Sequence, residues 1–442
     1  MDIYEGKWWA PEDPARRVDG TLEKTLERYS LKLTGVLGGR LLPDQQVVLG
    51  DTNHGPVSLT RPGSHTATTV DPGLPDVTLK IEFDGLLTGL HLTEADEAFS
   101  EFEFSSLGME RLLGRNRPSG SEDELPFREV AFADLGTVVL YWETIPHNIS
   151  DVVWHSYRPV LRLTSDFPLT IGEAWKSFIS PALFFFSFAI GGSDHVGLFR
   201  VRRAKSTNWG QVQRSRWSAA ERQQSCFDSY DRSRFLIHTD DLLSHFDGLL
   251  GRWFEMYSKA SSSFVDLFVA ILEPSLFAED SFLRTVRSLE SFNTAFLDAD
   301  QSHPRPMSSK EFKLLKLKIQ EVVPSEQRAF VSARLRNDPT LAQRIEFVVQ
   351  KAGAEASDIL KGYGHDFLSK IVRTRNGLSH SGRKGESFSW VELFWARNSI
   401  LYVLQGAMLA ELGFDVEEIE QRLARSVLCE ELKSARNPLT IT

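Results

Sequence analysis

The sequence predicts an α+β protein: a β-rich N-terminal domain, built as a sandwich or partly open barrel, followed by an all-α antiparallel helical bundle. Three observations carry this expectation. Through about residue 170, short segments alternate apolar and polar side chains with the period of a half-buried strand. From Asp241 onward, apolar residues recur every three or four positions, the period of an amphipathic helix. Between the alternating segments stand turn signals such as Gly38-Gly39, Asp51-Thr-Asn-His-Gly-Pro and Asp71-Pro-Gly, as a many-stranded domain requires.

In chain order, Trp8-Trp9 allows two readings. Paired indoles stack on bases or sugars when exposed and plug the end of a β-domain core when buried; the plug is favoured, because a large apolar side chain there gains most from burial. Residues 31–36, 77–83 and 99–104 alternate as strands, and residues 137–142 and 152–163 are rich in β-branched and aromatic types. Residues 114–126 read as a loop. Residues 170–190 read as a helix whose apolar run, 181–190, is too short for a bilayer and belongs in a core; residues 196–201 read as a strand. Residues 200–217 set Arg200, Arg202, Arg203, Lys205, Arg214 and Arg216 around Trp209 and Trp217. Such a run suits a single-stranded nucleic-acid track, but a solvated face beside a strand explains it more economically.

The stretch from His238 to Asp247 holds His238, Asp241 and His245, residue types that suit zinc or manganese. Thr239 or Asp240 reads better as a helix N-cap, with acids in the first turn where the helix dipole favours them. Helical periods follow at 241–260 and 264–272, through Phe282, Val286, Leu289 and Phe296, through Phe312, Leu315, Ile319 and Val322, and through Leu341, Ile345 and Val348, with a proline-rich loop at 301–306. The boundary is placed near residue 260, dividing the chain into domains 1–260 and 261–442.

Composition narrows the function. The 442 residues are 41 % hydrophobic and 25 % charged, which fits a soluble globular protein of two or three domains. A net charge of -10 argues against a general nucleic-acid coat, so any such contact must come from local basic patches. Two cysteines, Cys226 and Cys429, lack metal-ligand spacing and imply a reducing compartment. The N-terminus has an acid where a signal peptide needs basic residues, so a cytoplasmic protein without a membrane segment is expected.

The chemistry is expected at residues 371–385, Ile-Val-Arg-Thr-Arg-Asn-Gly-Leu-Ser-His-Ser-Gly-Arg-Lys-Gly, a junction between two helical segments. Arg375, Asn376 and His380 fall within six residues, and Lys370, Arg373, Arg383 and Lys384 surround them without an acid between. A histidine exchanges protons near neutral pH, and an arginine holds a phosphate through a planar charged fork. Together they can break an RNA linkage without a metal or other cofactor, His380 serving the 2′-hydroxyl or the leaving oxygen and Arg375 the charge gathering on phosphate. Asn376 orients one or the other, and Ser379 does so more weakly. The bare spacing recurs at Arg232 to His238, so context must carry the reading. Otherwise the residues are a helix C-terminus, basic side chains facing the dipole and Asn376 or Gly377 in a left-handed cap.

Arg375-Asn376, three intervening residues and His380, in a helical C-terminal region, resemble the Arg-x4-6-His motif of HEPN domains. Gly6-Lys7-Trp8-Trp9-Ala10-Pro11 and Val18-Asp19-Gly20-Thr21-Leu22 are similar to the opening of the N-terminal domain of ApeA-like anti-phage proteins. The resemblance implies a HEPN-type bundle acting as a metal-independent ribonuclease, with Arg375, Asn376 and His380 catalytic and Arg373, Arg383 and Lys384 on the substrate. It implies host-RNA cleavage in abortive infection, a homodimer through the helical domain, and a β-rich sensor domain open to a phage-derived trigger. It also suggests that the helix carrying Glu290 packs near the motif, where Glu290 pairs with Arg375 or, alternatively, makes a surface bridge with Arg287 or Arg284. The competing function is a non-catalytic module that binds nucleic acid or protein through the bundle and its basic loop.

Overall fold

The structure, a computed structural model, describes residues 2–25, 28–35, 37, 47–69, 77–92, 94, 97–114, 128–149, 152–214, 231–272, 276–297, 307–335, 337–364, 366–379 and 388–439. The expected loops at 115–126 and 301–306, and Arg216, Trp217 and Cys226, lie outside the described residues. The chain divides into two compact units, one of residues 1–232 and 237–251, the other of residues 233–236 and 252–442.

Among the described residues the first unit is a twelve-stranded antiparallel sheet that closes on itself over half its width. Strands β1 (Asp2–Trp9), β2 (Val18–Lys24), β3 (Tyr29–Thr34), β4 (Val47–Thr52), β5 (Gly55–Thr69) and β6 (Val77–Thr88) run in the order β3-β2-β1-β4-β5-β6. The first half of β6 pairs back onto β3, from Thr34↔Thr78 to Tyr29↔Phe83, and closes a six-stranded barrel without a free edge. Beyond Gly85, β6 pairs instead with β12 (Gly210–Arg214). From there the wall continues through β11 (Val196–Arg202), β7 (Ala98–Ser106), β10 (Val152–Thr170), β9 (Gly136–Ile149) and β8 (Arg128–Phe132).

The inward positions of the barrel strands, Leu22, Leu31, Leu33, Val48, Val57, Leu59, Leu79, Ile81 and Phe83, form one core with Trp8. Trp8 is wholly buried and its indole Nε1 donates to the carbonyl of Gly20 at 3.1 Å. Its ring lies so close to two neighbouring strands that a Cβ on Gly50 would stand 2.5 Å from it and one on Gly20 3.0 Å. Trp8 is thus the core plug, with Gly20 and Gly50 making room for it, whereas Trp9, next along the strand, is buried against His91 and Arg17.

One face of the second half of the sheet is apolar and covered by a helical segment, α1 (Leu107–Leu113) together with α2 (Ile171–Ala174), a π-helical turn (Trp175–Ile179) and α3 (Ser180–Ala189). Phe178 packs edge-on against Phe104 of β7, and residues 181–190 are buried. The polar residues of β7, β9, β10 and β11 form a ladder of paired charges: Arg200 with Glu103 and Glu143 at 2.5 and 2.8 Å, Arg162 with Glu103 at 2.7 Å, Arg202 with Glu101, and Arg203 with Glu97. Trp209 lies against Arg162, Arg200 and Arg202 at 4.6–5.8 Å. Arg200, Arg202 and Arg203 of the 200–217 run are thus matched to carboxylates, the pairing expected of a sheet face rather than of an open cation track.

The stretch beginning at His238 is a helix entry. Asp241 Oδ2 accepts from the His238 amide at 3.1 Å, ahead of α4 (Thr239–Ser244), while the Thr239 hydroxyl donates to the carbonyl of Leu112 at 2.5 Å. The N-cap is therefore His238, not Thr239 or Asp240 as expected, because Thr239 is drawn to a tertiary partner. Among the described residues no group of three His, Cys, Asp or Glu is placed to hold a metal ion.

Helices α5 (Phe246–Lys259), α6 (Ser261–Leu272), α7 (Ala278–Phe292), α8 (Ser309–Val322), α9 (Ser325–Arg334), α10 (Leu341–Ala352), α11 (Ala354–Lys361), α12 (Phe367–Ser379), α13 (Trp390–Leu412), α14 (Val416–Arg425) and α15 (Val427–Leu439) follow. The second unit is built around α13, which meets α7, α10, α11, α14 and α15. From Asn398 to Leu409 every residue of α13 is buried, as a helix apolar on all sides must be.

Candidate active site

The site is built where α12 and α7 pack. Helix α12 buries Phe367, Ile371 and Thr374, spaced four and three apart, and α7 buries Phe282, Val286 and Leu289. Arg375 and Glu290 each stand one residue beyond a buried stripe residue, Thr374 and Leu289, so the two flanks meet. Arg375 Nη2 donates to Glu290 Oε1 and Oε2 at 3.1 and 3.0 Å, and Nη1 donates to Asn376 Oδ1 at 3.2 Å. Both partners of the ion pair are partly exposed, 27 % and 22 % by side chain, so the pair orients more than it stabilises. Glu290 engages Nη2 alone, which holds the guanidinium by one corner of its donor fork.

Two expectations are corrected by this geometry. The helix does not end at Asn376 or Gly377; α12 continues through both to Ser379, so Arg375 and Asn376 sit on a helix rather than in a short loop. Arg284 and Arg287, the alternative partners of Glu290, are turned to Asp266 at 2.8 and 3.7 Å.

Three further contacts fix the corner between α12 and α13. The Phe388 amide donates to the buried Thr374 Oγ1 at 3.3 Å. Lys370 Nζ meets Glu392 Oε1 at 2.5 Å, so the basic flank of the motif is partly neutralised. Although partial burial pushes the Glu392 carboxyl up, the bonds from Lys370 and Ser389 hold it below the ordinary glutamate value. Ser389 caps α13, its hydroxyl accepting from the Glu392 amide at 3.3 Å while Glu392 accepts from the Ser389 amide at 2.8 Å. Beneath them the Phe388 ring packs on Phe367 and Phe282, with centroids 5.6 and 6.3 Å apart. Sequence reading missed Thr374 and Glu392; Phe388, read as the first apolar residue of the following helix, lies just ahead of α13 instead. The Ser389-Trp-Val-Glu392 pattern of a capping box was the one signal that marked this corner.

Of the residues expected at the site, the structure brings Arg375, Asn376 and Glu290 together. Arg373 and Ser379 are exposed on α12, away from its buried stripe. His380, Arg383 and Lys384 lie outside the described residues.

A β-barrel extended by an open sheet, followed by a helical unit with an arginine-asparagine pair held near the end of one helix, defines a two-domain protein with a HEPN-type C-terminal domain. Two family models match the chain, ApeA N-terminal domain 1 over residues 3–253 and Apea-like HEPN over residues 283–418. The first spans more than half of the chain, and the protein belongs to the ApeA family. Both domains are those of nuclease-like anti-phage proteins in general. Searches of curated proteins and of solved structures return no match. Among the described residues no helix is long and apolar enough to cross a membrane.

Proposed function

We propose that the protein is a cytoplasmic, metal-independent endoribonuclease that cleaves host RNA during phage infection. The observation that carries this reading is Arg375, clasped through one nitrogen by Glu290 and bonded to Asn376, five residues ahead of His380. A guanidinium clasped through Nη2 and bonded to Asn376 through Nη1 has its remaining N–H groups for phosphate oxygens, and a fixed cation is worth most where charge develops in the transition state. In the proposed reaction the ribose 2′-hydroxyl attacks the neighbouring phosphorus and the P–O5′ bond breaks, leaving a 2′,3′-cyclic phosphate and a 5′-hydroxyl. His380 takes the proton from the 2′-hydroxyl or gives one to the leaving oxygen. Asn376 and Ser379 position, Glu290 orients Arg375, and Arg373, Arg383 and Lys384 contact the RNA backbone.

Residues 261–442 form the ribonuclease domain in this reading, and residues 1–260 the sensor that answers a phage-derived trigger. Because a single copy offers few groups, two copies facing across a homodimer of helical domains make the complete site. The test is cleavage of RNA, and of DNA of matching sequence, in excess chelator by wild type, Arg375→Ala and His380→Ala. The expected result is cut RNA and intact DNA, with each variant slowed about 100-fold or more while RNA binding is largely kept. Equal cleavage by His380→Ala, or loss of cleavage on chelation, overturns the proposal.

A further inference from the structure

We propose that Trp390 is a stacking platform for an unpaired base of the RNA, beside the linkage that is cut; the inference rests on the ribonuclease reading above. Trp390 is the first residue of α13 and is 74 % exposed, whereas Trp8 and Trp253 are wholly buried. An indole left in water forgoes a large apolar burial and is retained where something covers it in use. Its backbone is fixed by the Ser389 capping box and by the Lys370–Glu392 pair. It stands two residues after Phe388, whose amide is bonded to Thr374, the neighbour of Arg375. Two steps of about 3.8 Å along the chain therefore separate the indole's residue from one anchored beside the phosphate-binding arginine.

The combination is that of a single-stranded nucleic-acid site, a ring for the base and cations for the backbone, with Arg373 and Arg375 on the adjoining helix. Val391 and Phe394 of the same helix are also exposed, and cover by a second copy of the chain is the alternative that sedimentation of Trp390→Ala decides.

The test is an abasic scan of a short single-stranded RNA that the protein cuts at one linkage, each base removed in turn. Wild type should lose about 5- to 140-fold in kcat/KM at one position flanking the cut, the range of base–aromatic stacking. Trp390→Ala should show that loss on the intact RNA and no further loss at the abasic position, and Trp390→Phe should restore part of it. Identical scans for wild type and Trp390→Ala, or a fall from dimer to monomer in Trp390→Ala by sedimentation, would overturn the inference. If wild type cuts no RNA, the ribonuclease reading itself fails; if it cuts and the scans coincide, only the platform does.

Discussion

Arg375 and Glu290 lie 85 residues apart and meet because each follows a buried residue on a packed helix. The carboxylate sets the direction of the guanidinium without touching the RNA in the proposed reaction. Glu290→Gln keeps the shape and removes the charge, so RNA cleavage should fall about 10- to 100-fold, the cost of losing an orienting partner. Urea denaturation should show stability within about 1 kcal/mol of wild type, since a partly exposed pair contributes little. A loss of fold instead would make Glu290 a structural residue. The Arg375, Asn376 and His380 pattern stands out in sequence because the three are neighbours in the chain, whereas the nearness of Glu290 came from the family resemblance, its place beside an apolar stripe naming no partner. Thr374 was not, since its importance comes from the Phe388 amide that returns to it.

The packing of elements is what delivers those side chains, and two buried polar groups show how it can be probed. Thr374→Val removes the acceptor of the Phe388 amide and should cost about 1–3 kcal/mol, read from denaturant midpoints, with looser anchoring of α13. In the β-rich unit, Asp194 is buried among the Ser106 hydroxyl and the Gly108 and His195 amides, at 2.5–2.6 Å. Burial pushes its carboxyl up to about 7 against the pull of those three donors. The folded state then holds a proton that the unfolded chain releases near pH 4, so this group's contribution is full below about pH 4 and is lost as pH rises through 7. Wild type should lose on the order of 4 kcal/mol more than Asp194→Asn between pH 4 and pH 8. Parallel stability curves for the two proteins would contradict this. Strands β3, β6, β7, β9, β10 and β11 were legible from alternation or β-branched content, but the closure of β3 on β6 was not, because a strand's partners are set by tertiary register rather than by its own pattern.

Across the whole molecule, a chain of net charge -10 carries its proposed RNA contacts on one helix corner, while the arginines of its β-sheet face are matched to glutamates. The pairing of both basic runs was hidden in sequence: Arg200 and Arg202 meet glutamates on neighbouring strands, and Lys370 and Arg375 meet Glu392 and Glu290 on neighbouring helices. In the proposed reaction Arg375 and His380 cut RNA through its own 2′-hydroxyl, and the ends produced when purified protein cleaves RNA in excess chelator carry the signature of that chemistry. Wild type should leave 2′,3′-cyclic phosphate and 5′-hydroxyl ends that are missing with His380→Ala. Ends carrying a 5′-phosphate and a 3′-hydroxyl, or cyclic ends made equally well by His380→Ala, would contradict it.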